Sequence, residues 1–156
     1  MVWEFLWQGR AWSLKNVFQR TKYPRRLGIQ VFGSARPVPD GPLSDYYAFG
    51  KEVGRQIALR GYFPVTGGGP GMMRAVMEGA AEMGGHTVGI TVPIEQEVPA
   101  GGCMKEVVHA LNFAERLHEW GGFNYRAGRM LVLPGGLGTD REFVSVLEEF
   151  AYGDHL

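Results

Sequence analysis

Two glycine-rich turns constrain the fold of this chain more than any other feature of its sequence. Each follows a short apolar run and precedes a stretch with helical spacing. The first turn is Thr66-Gly67-Gly68-Gly69-Pro70-Gly71, and the second is Pro134-Gly135-Gly136-Leu137-Gly138-Thr139. A shorter turn, Gly33-Ser34-Ala35-Arg36, follows the apolar run at residues 27–32. Short apolar strands that alternate with helices of about 10–15 residues indicate βαβ units and a parallel sheet.

This alternation predicts a Rossmann-like α/β fold with three layers, α/β/α, around a mainly parallel sheet. The predicted strands cover residues 27–32, 62–65, 87–92 and 130–133, and the predicted helices cover residues 46–60, 72–83, 107–120 and 142–152. Ser44 or Asp45 is expected to cap the first helix, and Gly61 to end it. Ligands of such sheets bind beyond the carboxyl ends of the strands, where the three glycine-bearing turns should meet.

Composition excludes several classes of protein. The 156 residues suit one domain, and the chain carries 16 Lys and Arg against 16 Asp and Glu, so no bulk charge favours nucleic acid or an anionic membrane. The single cysteine, Cys103, allows no intrachain disulfide and is typical of a reducing compartment. No run of roughly 18 apolar residues occurs, and the N-terminus does not resemble a signal peptide. We therefore predict a cytoplasmic protein that binds neither nucleic acid nor membrane.

Residues 1–26 differ from the rest of the chain because they combine aromatic and basic side chains. We interpret them as a helical segment that packs on its own domain or on a second subunit. A helix lying on a membrane surface is the alternative interpretation. Residues 27–156 would then form the Rossmann-like α/β domain.

The two glycine-rich turns predict a phosphate site. Glycines let phosphate oxygens approach the backbone, and the N–H groups and dipole of the following helix favour an anion. The candidate binding residues in the two turns are Gly67, Gly68, Gly69, Gly71, Gly135, Gly136, Gly138 and Thr139. Met72 and Arg141 stand where the dinucleotide fingerprint needs its last glycine, and no Gly-Lys-Ser/Thr occurs. An NAD-type enzyme and a Walker-type ATPase are therefore disfavoured.

Two side chains are candidates for catalysis. Glu142 follows Thr139 by three residues, which suits either a catalytic carboxylate at the mouth of the phosphate turn or a capping box at a helix start. Arg116, considered alone, is interpreted as a solvated surface charge. His86, His109, His118 and His155 show no metal-ligand spacing with carboxylates or with Cys103, so we predict no metal and no cofactor.

The motifs resemble those of the LOG (Lonely Guy) proteins. Pro134-Gly135-Gly136-Leu137-Gly138-Thr139-Asp140-Arg141-Glu142 matches their signature PGGxGTxxE at every specified position. The turn Gly67–Gly71 with Met72 and Met73 resembles a second signature, and residues 31–36 resemble their first-strand turn. The resemblance spans roughly residues 27–150. Such proteins were long labelled lysine decarboxylases, but no lysine here lies in a recognisable pyridoxal-phosphate context.

The resemblance implies a homodimer that hydrolyses the N-glycosidic bond of a nucleoside 5′-monophosphate, either AMP or a cytokinin ribotide, to free base and ribose 5-phosphate. By the family pattern, Gly135, Gly136, Gly138 and Thr139 would hold the phosphate, with Gly33 and Ser34 in the same site. Glu142 would be the catalytic carboxylate, assisted by Arg116.

The chain also departs from the family pattern. The usual Met-His-x-Arg-Lys stretch is replaced by Phe113-Ala114-Glu115-Arg116-Leu117, which keeps only the arginine. The segment that follows is longer than usual, so Arg126 or Arg129 is an alternative functional arginine. The chain also ends earlier than family members generally do. A non-catalytic protein that carries a phosphorylated ligand, similar to molybdenum-cofactor carrier proteins, is the competing hypothesis.

Overall fold

The computed structural model describes residues 27–93, 101–116 and 129–152. The predicted N-terminal helical segment, residues 1–26, lies outside the described residues, as does Arg126.

Within these described ranges, five strands form one parallel sheet. They are β1 (Gly28–Phe32), β2 (Phe63–Thr66), β3 (Val88–Thr91), β4 (Glu106–His109) and β5 (Met130–Val132). Their spatial order is β4-β3-β2-β1-β5, and every neighbouring pair is parallel. The chain therefore adds strands outward from β1 on one side and then returns to place β5 on the other side. This order confirms the predicted Rossmann-like sheet.

In the part of the chain that the structure describes, three helices cover the two faces of the sheet. They are α1 (Ser44–Leu59), α2 (Met72–Glu82) and α3 (Leu137–Tyr152). Val31 of β1 packs in one buried cluster with residues of α1 and α2, whereas the adjacent Phe32 packs in a second cluster with Val146 of α3. Successive side chains of a strand point to opposite faces, so α1 and α2 lie on one face and α3 on the other. The three-layer α/β/α arrangement is as predicted.

Small residues let α1 and α2 approach closely. A Cβ atom added at Gly54 would collide with the carbonyl oxygen of Val76, and one at Gly79 would collide with the carbonyl oxygen of Lys51. At the edge of this contact, the Tyr47 hydroxyl donates to Glu78 Oε2 over 2.9 Å. Burial and this hydrogen bond raise the pKa of Tyr47.

One of the helices predicted from the sequence is wrong. Residues 107–120 were expected to be helical, but Glu106–His109 pair with β3 as strand β4, and a helical turn begins only at residue 113. Val107 and Val108 are β-branched and favour a strand, and partners on β3 decide the outcome. The apolar residues keep helical spacing across the boundary between β4 and this turn, so the sequence pattern predicts one continuous helix.

Some of the predicted helix ends are confirmed and others are wrong. Gly61 follows α1 with φ of 76°, so the predicted glycine stop is confirmed, and Gly84 follows α2 in a similar conformation with φ of 74°. Neither Ser44 nor Asp45 caps α1, since the N-cap is Leu43 and makes no side-chain cap hydrogen bond. Helix α3 begins at Leu137, five residues before the predicted start at residue 142.

No helix within the described ranges is both long and apolar enough to cross a bilayer.

Candidate active site

A cavity of about 400 Å³ opens at the carboxyl edge of the sheet, beside the neighbouring ends of β1 and β5. This is the position where the strand order reverses and where doubly wound sheets bind their ligands. Backbone hydrogen bonds join the two strand ends, from Leu133 N–H to the Phe32 carbonyl (2.9 Å) and from Ser34 N–H to the Pro134 carbonyl (3.2 Å). The lining residues are Gly33, Ser34, Ala35, Arg36, Met73, Phe113, Arg116, Gly135, Gly136, Leu137, Gly138, Thr139 and Glu142.

The turn between β5 and α3 presents exposed backbone to this cavity. Gly135, Gly136 and Gly138 are exposed, and the Asp140 N–H donates to the Gly136 carbonyl over 3.1 Å. That bond marks Gly136 as the helix N-cap, so the N–H groups of the next three residues have no acceptor within the helix. A Cβ at Gly135 would collide with the Thr139 side chain, which explains why this tight turn needs glycine. The free N–H groups and the helix dipole make the turn suited to an anion.

Arg116 and Glu142 form an ion pair in the same cavity. Arg116 Nη2 donates to Glu142 Oε1 over 2.9 Å, and the two side chains are only 3% and 15% exposed. The interpretation of Arg116 as a solvated surface charge is therefore wrong. The capping-box interpretation of Thr139 and Glu142 is wrong as well, because both residues lie inside α3 rather than at its cap. Opposite charges that are buried, as at Arg116, or partly buried, as at Glu142, tolerate their desolvation only when they are paired, and here the pair faces a ligand-sized space.

Arg116 is positioned by a capped helical turn at residues 113–116. Asn112 Oδ1 accepts from the Glu115 N–H over 3.0 Å, and the Asn112 carbonyl accepts from the Arg116 N–H over 3.0 Å. Glu115 Oε2 in turn accepts from the Leu111 N–H over 2.5 Å. Asn followed three residues later by Glu is typical of a helix start, and the prediction did not use this pattern. It would have placed the start of the helical turn correctly after Asn112.

The turn between β2 and α2 supports the site from outside the cavity lining. Gly67, Gly68, Gly69 and Gly71 are buried, in contrast to the glycines of the β5–α3 turn. A Cβ at Gly67 would collide with Nη2 of Arg116, so this glycine makes room for the guanidinium. Gly71, with φ of 70°, packs against the backbone of Ser34 and Ala35. Phosphate contact by these four glycines stays a prediction, whereas their packing against site residues is observed.

The first-strand turn contributes a further basic side chain. Gly33 and Ser34 line the cavity as predicted candidates, and Ser34 Oγ accepts from the Arg36 N–H over 3.2 Å. The exposed Arg36 also lines the cavity but was not among the predicted residues. Its place directly after the Gly33-Ser34-Ala35 turn, at the carboxyl edge of the sheet, is the signal that could have identified it.

The alternative arginine Arg129 lies elsewhere. Its Cζ is 4.8 Å from the ring centroid of Tyr62, and Arg129 does not line the cavity. The geometry therefore gives Arg116 the position beside Glu142. Cys103 is also absent from the cavity lining, and burial raises the pKa of its thiol. Within the described ranges, no cluster of three or more His, Cys, Asp or Glu side chains could hold a metal ion.

Known proteins share both the sequence pattern and the fold. The family model described as "LDcluster4: SLOG cluster4 family" matches residues 26–150. The pyrimidine/purine nucleotide 5′-monophosphate nucleosidase of Escherichia coli strain K12 is 32% identical over 111 residues, which cover 65% of this chain. The chain spans only 23% of the length of that protein.

Solved structures give the same picture of the fold. The X-ray structure of TM1055, a structural genomics target, is 28% identical with a TM-score of 0.63, covering 76% of this chain and 67% of that one. The molybdenum cofactor carrier protein of Chlamydomonas reinhardtii is 21% identical with a TM-score of 0.59, covering 79% and 71%. The molybdenum cofactor binding protein of Rippkaea orientalis is 22% identical, also with a TM-score of 0.59, covering 79% and 70%.

The family match extends over most of the chain and includes both glycine-rich turns, Arg116 and Glu142. It confirms the LOG-type resemblance that the motifs predicted. This chain belongs to the SLOG cluster4 family.

Proposed function

We propose that this protein hydrolyses the N-glycosidic bond of a nucleoside 5′-monophosphate and releases the free base and ribose 5-phosphate. The observation that carries the proposal is the partly buried Arg116–Glu142 pair, which shares one cavity with the exposed N-terminal turn of α3. The similarity to a pyrimidine/purine nucleotide 5′-monophosphate nucleosidase supports the same reaction.

The geometry suggests how the substrate would lie. The 5′-phosphate would accept hydrogen bonds from the exposed backbone of the β5–α3 turn, with Arg36 adding positive charge at the cavity. Glu142 follows Thr139 by three residues on the same helix face, so a phosphate bound at the turn would place its ribose near the Glu142 carboxylate.

The reaction itself needs a carboxylate near the anomeric carbon. As the C–N bond breaks, its electron pair leaves with the base, which takes up a proton, and the sugar acquires oxocarbenium-like positive charge. A carboxylate stabilises that charge and takes a proton from the attacking water, whose oxygen forms the new bond to the anomeric carbon. The proton lost by the water balances the proton gained by the base. Arg116 holds Glu142 in one orientation through the 2.9 Å hydrogen bond.

A panel of nucleoside monophosphates tests the proposal directly. Purified protein is incubated with each nucleotide, and free base and ribose 5-phosphate are quantified by chromatography. Removing a group that acts in general acid–base catalysis typically lowers the rate by about 10²–10⁴-fold, and we expect Glu142→Gln to fall within that range. Glu148→Ala, an exposed position on the same helix outside the cavity, is the matched control and should keep wild-type activity.

The same panel distinguishes the carrier hypothesis. Release of base by wild-type protein but not by Glu142→Gln supports the enzyme. Tight binding of a phosphorylated ligand without release of base in any reaction would contradict the proposal and favour a carrier. The similarity to the molybdenum-cofactor proteins rests on the fold alone.

We also propose the finer properties that the LOG resemblance implies: AMP or cytokinin ribotides as substrates, a cytoplasmic location and a homodimer. Support for a dimer comes from β5, an edge strand of the described sheet whose Leu131 and Val132 are 38% and 44% exposed. Exposed apolar edge strands are typical sites of association. Light scattering coupled to size exclusion would measure the mass, and a monomer at micromolar concentration would contradict the dimer.

A further inference from the structure

Phe113 is an aromatic side chain at the cavity for which the proposed reaction gives no role. Its side chain is 47% exposed and lines the cavity beside Arg116. It is the one aromatic residue among the lining residues that the structure describes. Single exposed apolar side chains are common on protein surfaces, so exposure alone decides nothing. The position of the ring within the catalytic cavity is what requires an explanation.

The contacts around Phe113 place it next to the catalytic pair. Glu142 accepts from Arg116, and the Arg116 Cζ lies 5.5 Å from the centroid of the Phe113 ring. Thr139 and Glu142 lie three residues apart on α3, so the order from the phosphate turn is Thr139 and Glu142 along the helix, followed by Arg116 and Phe113 through these two contacts. A nucleoside monophosphate has the matching order of phosphate, ribose and base. In this order, Phe113 has the position that corresponds to the base.

The backbone that carries the ring belongs to a capped helical turn. Phe113 is the first residue of the turn capped by Asn112, and the neighbouring guanidinium adds a cation–π contact to the ring. A phenylalanine ring has only two side-chain torsions, so its ordering against a ligand costs little entropy. Stacking on an aromatic ring also tolerates any base, because every base has a π-face.

We propose that Phe113 is the stacking surface for the nucleobase, so that the site distinguishes a base-bearing ribose phosphate from ribose 5-phosphate alone. The inference rests on the proposed function, because it assumes that a nucleotide occupies the cavity. Purine nucleotides should bind more tightly than pyrimidine nucleotides, since the larger ring system stacks over more area.

Equilibrium binding tests this inference without turnover. Calorimetry would measure the affinities of AMP and ribose 5-phosphate for full-length Glu142→Gln protein, with and without Phe113→Ala. Loss of one base–aromatic stack weakens binding by about 5- to 150-fold. We expect that loss for AMP and no change for ribose 5-phosphate, which has no base. Phe113→Leu keeps an apolar side chain but lacks a π-face and should also weaken AMP alone, whereas Phe113→Trp should restore AMP binding.

Phe49→Ala is the matched control, because Phe49 is 51% exposed on α1 and does not line the cavity. It should change neither affinity. Equal weakening of AMP and ribose 5-phosphate in Phe113→Ala and Phe113→Leu would show a loss of Arg116 positioning and overturn the stacking role. Unchanged AMP affinity in both variants would overturn it as well. Both results leave the proposed hydrolysis standing, whereas failure of Glu142→Gln protein to bind either ligand, together with no release of base by the wild type, would reject the proposed function.

Discussion

Gly67 has no side chain beyond a hydrogen, which leaves room for the guanidinium of Arg116. It is buried in the β2–α2 turn, and a Cβ there would collide with Nη2 of Arg116. We expect Gly67→Ala to displace the guanidinium and loosen its bond to Glu142. Misplacement of a catalytic group by about 1 Å can lower the rate by roughly 10²-fold, so kcat should fall by that order with a smaller change in KM. Steady-state kinetics on the preferred nucleotide would measure both constants.

Two further variants separate this effect from general damage. Gly102→Ala introduces the same methyl group where no atom lies within 4 Å, and it should leave the kinetics unchanged. In an Arg116→Ala background, Gly67→Ala should produce no additional loss, because the group that it displaces is gone. Additive losses in the double variant would contradict the positioning role of Gly67.

At the scale of single residues, the sequence identifies the motif residues of the site better than it identifies which residues contact one another. Gly135, Gly136, Gly138 and Thr139 are recognisable by type and spacing, and all four line the cavity. Spacing alone could not tell whether Glu142 is a helix cap or a carboxylate of the candidate site, because a carboxylate three residues after Thr139 suits both. The answer depends on Arg116, which is distant in sequence and reaches Glu142 only through the fold.

The segment from β4 to the helical turn at residues 113–116 is where local sequence patterns mislead most. Apolar residues at helical spacing continue across residues 107–120, yet the first part pairs with β3. The change of element within a few residues depends on Asn112, whose side chain satisfies the Glu115 N–H and allows the helical turn to begin there. This segment thus connects strand β4 to Arg116 of the candidate site.

We expect Asn112→Ala to weaken both this turn and catalysis. Loss of an N-cap side chain lowers the free energy of unfolding by about 1 kcal/mol, and the Arg116 position should become less defined as the turn frays. Urea unfolding followed by circular dichroism would measure the first effect and kcat the second. Asn112→Asp keeps an equivalent cap acceptor and should remain close to the wild type. An Asn112→Ala protein with unchanged stability and kcat would show that packing alone holds the turn.

On the scale of the whole molecule, the alternation of strands and helices was sufficient to predict the fold class. The strand order was not predictable in the same way, because parallel pairing joins segments that are far apart in sequence, such as β1 with β5. The location of the cavity follows from that order, since β1 and β5 bring the Gly33–Ser34 turn beside the Gly135–Gly138 turn. The sequence could name both turns, but only the sheet shows that the β2–α2 turn remains buried beside them.

Among the contacts between helices and strands, we expect the packing of α1 against α2 to be the most sensitive to one added methyl group. At Gly54 a Cβ would meet the carbonyl oxygen of Val76, a backbone atom that no rotamer change can move. Replacing glycine by alanine inside a helix gains roughly 1 kcal/mol of helix propensity, whereas overpacking costs about 1–3 kcal/mol, so we expect Gly54→Ala to destabilise the protein by up to about 2 kcal/mol. Urea unfolding would measure this difference in the free energy of unfolding.

Gly138→Ala makes the same change in α3, where no atom lies within 4 Å of the added Cβ, and should leave stability unchanged or higher. Separation of α1 from α2 should also change the geometry of the candidate site. Helix α2 begins at Met72, whose N–H donates to the Ser34 carbonyl over 2.8 Å. Gly54→Ala should therefore lower activity as well as stability, although Gly54 does not line the cavity. Lower stability with unchanged activity would show that the site tolerates a shift of α2, and unchanged stability would show that the two helices separate without cost.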